Sequence, residues 1–114
     1  MSTGTTGYRR PNAIGLIRRD IRGGEHTDLH ALAERHGYRL VFTLAVDVRP
    51  FITALAVTQH LAEHAATAVV VPCYEHAEAV QIPITERAAL ITPVRIYPRG
   101  YRWPVIEIDN RRRS

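Results

Sequence analysis

The chain has 114 residues, of which 46% are hydrophobic and 23% are charged, which suits one folded domain rather than a disordered segment. No apolar run approaches the roughly 18 to 20 residues that a membrane helix needs, and Met1 to Gly7 lacks the apolar core of a signal peptide. A single cysteine, Cys73, makes no internal disulfide and suits a reducing compartment. We therefore expect a cytoplasmic protein with no membrane partner.

The formal net charge of +4 is concentrated near the ends of the chain. All eleven carboxylates lie between Asp20 and Asp109. Five arginines stand outside that body: Arg9, Arg10, Arg111, Arg112 and Arg113. Without these five of the fifteen basic residues, ten basic side chains face eleven acidic ones. The arginine tail is either a solubilising chain end, which we favour, or a salt-dependent collector of phosphates without sequence preference.

The chain begins with a predicted flexible leader over residues 1–12, where Gly, Thr and Ser precede a proline. Ala13–Ile17 is a short apolar run followed by charges, which predicts a buried parallel strand. After Gly23-Gly24 a helix is expected from Thr27, with Gly37 as its C-terminal cap. Its inward positions follow the helical period: Leu29, Leu32, Ala33 and His36.

A second strand is predicted over Leu40–Val46, which is rich in β-branched and apolar residues. Pro50 suits the first position of a helix that continues over Phe51–Ala65. The stripe expected to face the core consists of Leu55, Thr58, Leu61, Ala62 and Ala65. Ala68–Val71 predicts a third buried strand, which Pro72 ends.

The rest of the chain is harder to interpret. Cys73–Arg87 has no clear period, so no element is assigned there. Leu90–Tyr97 predicts a fourth strand near a sheet edge, because Pro93 interrupts it. Val105–Ile108 alternates and predicts a fifth, and residues 110–114 form a basic tail.

The alternation of strands and helices predicts one three-layer α/β domain over residues 13–109. Its sheet would be mostly parallel, with four to five strands and right-handed crossovers. Ligands in such sheets bind at the carboxyl ends of the strands. These ends are expected at Arg18–Glu25, Asp47–Arg49 and Pro72–His76.

Two segments carry a family resemblance. Gly15-Leu16-Ile17-Arg18-Arg19-Asp20 matches most of a first-strand motif G-Y-x-R-x-S, and Arg49-Pro50-Phe51 opens a helix that leads to the Val-rich run Ala68–Val71. Over residues 13–97 the chain resembles the N-terminal catalytic domain of serine recombinases, the resolvase/invertase family. The resemblance implies a resolvase-like fold, with DNA or a second recombinase-type domain as partner.

The catalytic groups of that family are missing. Asp20 stands where the family has the serine that attacks the DNA phosphodiester, and Glu75–Ala79 stands where D-R-L-x-R supplies two arginines. Strand exchange needs a hydroxyl nucleophile and cations that stabilise the developing charge. We therefore expect a non-catalytic binding or interaction module without a cofactor.

The degenerate site consists of Arg18, Asp20, Arg49 and His76. Nucleic acid, if bound, would contact Arg18, Arg49 and the three tail arginines. The alternative is a small enzyme or ligand-binding domain that uses the Asp20, Arg49 and His76 region on an anionic small molecule.

Two His pairs with i, i+4 spacing, His26 with His30 and His60 with His64, place two imidazoles on one helix face. No third ligand at a fixed offset is evident, so solvated helix faces are expected and no metal is predicted. Cys73 with His76 lacks a third orienting group, which favours an inert cysteine over a nucleophile.

Aromatic and cationic residues alternate near the C-terminus: Arg95, Tyr97, Arg99, Tyr101, Arg102 and Trp103. Such a pattern can stack nucleic-acid bases. It is also typical of an edge strand and loop that cover the core, and we favour this second interpretation.

Overall fold

The computed structural model describes residues 10–22, 27–47 and 49–104. These residues form five strands and three helices. In chain order they are β1 Asn12–Arg18, α1 Leu29–Arg35, β2 Arg39–Val46, α2 Pro50–Glu63, β3 Ala66–Val70, α3 Gln81–Arg87, β4 Ala89–Ile91 and β5 Ile96–Tyr97. Short 3-10 turns at Tyr74–His76 and Glu78–Val80 connect β3 to α3. The predicted Val105–Ile108 strand, the 110–114 tail, Gly23-Gly24 and residues 1–9 of the leader lie outside the described residues.

The sheet has the order β2-β1-β3-β4-β5. The first four strands are parallel, and only β5 runs antiparallel, beside β4. The predicted α/β class with a mostly parallel sheet is therefore confirmed. Within the described ranges no helix combines the length and the apolar character that a membrane span requires.

Apolar clusters cover both faces of the sheet. On one face Ile14 and Leu16 of β1 pack with residues of α2, α3 and β4. On the other face Ala13 packs with α1. Because β1 is buried on both faces, its sequence is a nearly continuous apolar run.

Gly15 allows α1 and β2 to approach the centre of the sheet. A Cβ at this position would lie 2.9 Å from Leu29 Cδ1 and 3.0 Å from Thr43 Oγ1, so both of these side chains would have to shift. The glycine of the Gly15–Asp20 motif therefore has a packing role.

Both ends of α1 agree with the sequence. The Asp28 side chain accepts a hydrogen bond from the Ala31 N–H at 3.0 Å, as an N-cap residue does. Gly37 follows the helix with φ of +84°, which is the left-handed conformation expected of a C-terminal glycine.

The stripe predicted to face the core from α2 is confirmed at Leu61 and wrong in its direction elsewhere. The buried residues are Thr53, Val57 and Leu61, whereas Leu55 is 55% exposed. The first half of α2 is apolar on nearly every side, so periodicity could not select the inward face. Beyond the helix, Ala65 has φ of +49° and therefore leaves the helical period.

The prediction of one continuous fourth strand over Leu90–Tyr97 is also wrong. It divides into β4 and β5, joined by a turn that contains Pro93. Thr92 closes this turn: its N–H and hydroxyl donate to Arg95 O at 2.8 and 2.9 Å. Proline lacks the N–H that a continuous strand would donate, so the chain reverses there.

The segment left unassigned, Cys73–Arg87, contains α3. Pro83 is the third residue of this helix. A proline is tolerated in the first turn because the N–H groups there have no intrahelical acceptor. The proline and the two preceding 3-10 turns conceal the helical period in the sequence.

Candidate functional site at the carboxyl ends of β1 and β3

The site lies where the chain changes direction across the sheet. The first crossover leads from β1 to β2 and the second leads from β2 to β3 on the other side of β1. The carboxyl ends of β1 and β3 therefore flank the topological switch point, where open α/β sheets bind ligands. Arg18 ends β1, and His76 lies in the first 3-10 turn after β3.

His76 connects the two strand ends. Its side chain is only 1% exposed, and its Nδ1 accepts a hydrogen bond from the Arg18 backbone N–H at 2.9 Å. A neutral imidazole that accepts at Nδ1 carries its proton on Nε2. Among the described residues no partner binds Nε2, although this atom is buried. Burial, followed by the nearby Arg18 charge, lowers the pKa of His76 and favours the neutral ring.

The Arg18 side chain is held by Asp20. Its Nε and Nη2 donate to the two carboxylate oxygens of Asp20 at 3.1 and 2.6 Å. This hydrogen bonding lowers the pKa of the Asp20 carboxyl and raises that of Arg18. The Glu75 and Glu78 charges also raise the pKa of Arg18. The strand ends therefore carry a compensated cation rather than a free one.

Arg49 is paired in the same way with the carboxylate of Asp47. Arg49 Nη2 lies 3.5 Å from Asp47 Oδ2, and both side chains are well exposed. Arg49 is also the N-cap residue of α2, but among the described residues its side chain makes no capping hydrogen bond.

A small pocket of about 10 Å³ opens beside His76, which is room for roughly one water molecule. Its lining consists of Arg18, Asp47, Pro50, Thr53, His76, Ala79 and Val80. Of the four residues predicted to form a degenerate site, the structure places Arg18 and His76 in this pocket. Asp20 contacts Arg18 from outside, and Arg49 does not line the pocket.

Thr53 is the pocket residue that the sequence did not single out. It is buried in the first turn of α2, three residues after Pro50. A threonine there carries no signal in a sequence, and its position is evident only once the rotation of α2 is known.

Cys73 and His76 take different partners. Nδ1 of His76 is bound to the Arg18 backbone N–H, and Cys73 Sγ lies 4.0 Å from Glu75 Oε1. That Cys73 is inert stays a prediction.

The two His pairs differ. His26 lies outside the described residues, and His30 is exposed on α1. His60 and His64 are half-buried and stack on Phe42 of β2, with ring centroids 4.5 and 4.9 Å away. The expectation of a solvated helix face is therefore wrong for His60 and His64.

The C-terminal aromatic residues cover the core, as favoured. Tyr97 and Trp103 pack against the cluster on the α2 face and against each other, 4.7 Å apart. Trp103 Nε1 donates to Thr85 Oγ1 at 2.9 Å. The Arg95 guanidinium lies 4.7 Å from the Tyr97 ring centroid.

The tail arginines predicted to contact nucleic acid, Arg111, Arg112 and Arg113, lie outside the described residues. Comparisons with protein families, curated proteins and solved structures found no match to this chain.

Proposed function

We propose that this chain is a non-catalytic, serine-recombinase-like α/β domain that acts as a binding module in the reducing cytoplasm. The observation that carries the proposal is the ion pair between Arg18 and Asp20. In the resembled motif the arginine would face a phosphate and the last residue would attack it. Here the last residue binds the arginine instead.

The chemistry of the pair opposes phosphoryl transfer. A carboxylate has no hydroxyl to form a phosphoserine-type link, and the lowered pKa keeps Asp20 charged at neutral pH. His76 and Ala79 stand at the two arginine positions of the resembled motif, and Glu75 and Glu78 beside them add negative charge. A DNA phosphate would therefore meet like charges instead of a cationic clamp.

Supercoiled DNA tests the absence of catalysis. We expect the wild-type chain and Asp20→Ser to give no nicked product and no protein-linked DNA, because the serine alone would still lack the clamp. Protein-linked DNA from the wild-type chain would overturn the proposal.

We also propose that the chain associates with DNA without catalysis, through the tail arginines. Removing one arginine–phosphate interaction reduces the slope of log affinity against log salt by about 0.9. We expect deletion of residues 111–114 to reduce the slope by about 2 to 3. Arg35→Gln is the control, because Arg35 is exposed on α1 and is not among the residues predicted to contact nucleic acid. Unchanged affinity after the deletion would contradict a DNA-binding tail.

A second candidate function, binding of a small oxyanion in the pocket, is favoured by the His76 Nε2–H, which has no partner among the residues that the structure describes. A buried donor without an acceptor costs about 1–3 kcal/mol, which a ligand oxygen would recover. The pocket also lies at the start of α2, where Phe51 and Ile52 N–H have no intrahelical acceptor and the helix dipole favours negative charge. The pocket volume suits one oxygen atom of the ligand.

Thermal unfolding with millimolar inorganic phosphate or acetate tests this candidate. We expect the midpoint of the wild-type chain to rise and that of His76→Asn to stay constant. Asparagine keeps an acceptor for the Arg18 N–H and removes the Nε2 donor. His30→Asn is the matched control, because His30 is exposed on α1. An equal shift in His76→Asn, or none in the wild-type chain, would reject the pocket as an anion site.

A further inference from the structure

Three metal-ligating side chains meet at the C-terminal end of α2. They are His60, Glu63 and His64, and one ligand atom from each lies within 4.8 Å of the others. The spacing i, i+3 and i+4 places all three on one side of the helix. This group lies at the opposite end of α2 from the pocket beside His76, so it is independent of the proposed function.

One pair of these side chains already has the separation that a bound ion requires. His60 Nδ1 lies 3.3 Å from Glu63 Oε1. Two ligands about 2.0–2.1 Å from a tetrahedral zinc ion are about 3.3–3.4 Å apart. Among the described residues Nδ1 makes no hydrogen bond and is buried, so its lone pair is available once the ring is neutral.

The surroundings restrict the ligand side chains. Phe42 stacks on both imidazoles, at interplanar angles of 22° and 18°. Gln59 Nε2 donates to the second Glu63 oxygen at 3.2 Å, as outer-shell partners of metal ligands do. Ordering the ligands before binding reduces the entropy that binding must overcome.

The backbone favours a cation at this position. The helix ends at Glu63, and the partial negative charge of the last carbonyl groups attracts positive charge. Asn12 Nδ2 donates to His64 O at 2.8 Å and fixes this end of the helix against the start of β1.

We propose that His60, Glu63 and His64 form a binding site for a divalent transition-metal ion of the zinc class. Two imidazole nitrogens and one carboxylate oxygen suit Zn²⁺, Co²⁺ or Ni²⁺, and remaining positions would hold water. Mg²⁺ and Ca²⁺ prefer oxygen ligands throughout and are excluded. The ligands come from the last turn of α2 and from its C-cap residue His64, so the ion stabilises the end of α2.

Titration of the untagged, chelator-treated full chain with Zn²⁺ tests the site. Calorimetry should give one ion per chain, with no heat from Mg²⁺ or Ca²⁺. His60→Phe and His64→Phe keep an aromatic ring against Phe42 and should each lower the affinity more than about tenfold. Glu63→Gln should lower it less. His30→Phe, from the other i, i+4 pair, should leave the affinity unchanged.

Several results would overturn the proposal. These are no binding by the wild-type chain, equal affinity in His60→Phe, or loss of binding in His30→Phe or Cys73→Ser. X-ray absorption on the wild-type Zn²⁺ complex requires no variant to fold. We expect a first shell of nitrogen and oxygen with two imidazole signatures, and sulfur in that shell would reject the site.

Discussion

The centre of the sheet and the outward side of α2 are both strongly apolar, but the first is buried and the second is exposed. Ile14 and Leu16 of β1 are fully buried, whereas Phe51 and Leu55 of α2 are 74% and 55% exposed. A central strand of a parallel sheet is covered on both faces, and a helix that covers a sheet buries only one stripe. Apolar character therefore predicts burial only together with the number of layers around an element.

The largest test of this comparison is a pair of matched truncations, Leu16→Ala and Leu55→Ala. Leu16→Ala should lower the free energy of unfolding by about 2–5 kcal/mol, because it leaves a cavity between β1 and α2. Leu55→Ala should change it by no more than about 0.5 kcal/mol. Urea unfolding of both variants measures the difference. Similar losses would show that the outward side of α2 is covered in solution, and the comparison would fail.

The fold was predictable wherever local signals agree with the layer structure. The run at β1, Pro50 at the start of α2 and Gly37 after α1 each depend on a few neighbouring residues. The rotation of α2 was not predictable, because residues 51–57 offer apolar side chains in every direction. The helix α3 was concealed by Pro83, which is acceptable only because it lies in the first turn.

The candidate site was predictable in position but not in pairing. Strand ends in a parallel sheet share one edge, so Arg18 and His76 could be placed near each other from the sequence. Which partner each side chain takes depends on distances of about an ångström, which patterns do not contain. The same holds for His60 and His64, whose contact with Phe42 depends on the position of β2 against α2.

A second and smaller effect is expected for Gly15→Ala at the centre of the sheet. The new Cβ would lie too close to Leu29 and Thr43, and such overpacking costs about 1–3 kcal/mol. Gly37→Ala is the contrasting variant: its Cβ meets no neighbour within 4 Å, so its cost of about 1–2 kcal/mol comes from the positive φ and should not depend on Leu29. In the Leu29→Ala background Gly15→Ala should cost less, because the closest atom is gone. If Gly15→Ala cost as much in the Leu29→Ala background, the contact with Leu29 would not be the source of the strain.

The smallest expected effect is the pH dependence of the free energy of unfolding that buried His76 contributes. The folded state lowers the pKa of His76 below the ordinary value of about 6.5, so the unfolded chain binds a proton first as the pH falls. The wild-type chain should therefore lose stability relative to His76→Asn below about pH 6.5 and show a constant difference above it.

Urea unfolding of both proteins at pH 7.5, 6.5 and 5.5 measures this effect. The other five histidines are common to both chains, so their contributions largely cancel in the difference. Of the charged groups that act on His76, Arg18 opposes its protonation, whereas Glu75 and Asp20 favour it. Asp20 titrates below its ordinary range, outside this window. If the difference between the two chains stayed constant down to pH 5.5, the carboxylates would be compensating the burial of His76. Its Nε2–H would then be a poor basis for an anion site, and the oxyanion candidate would lose its main support.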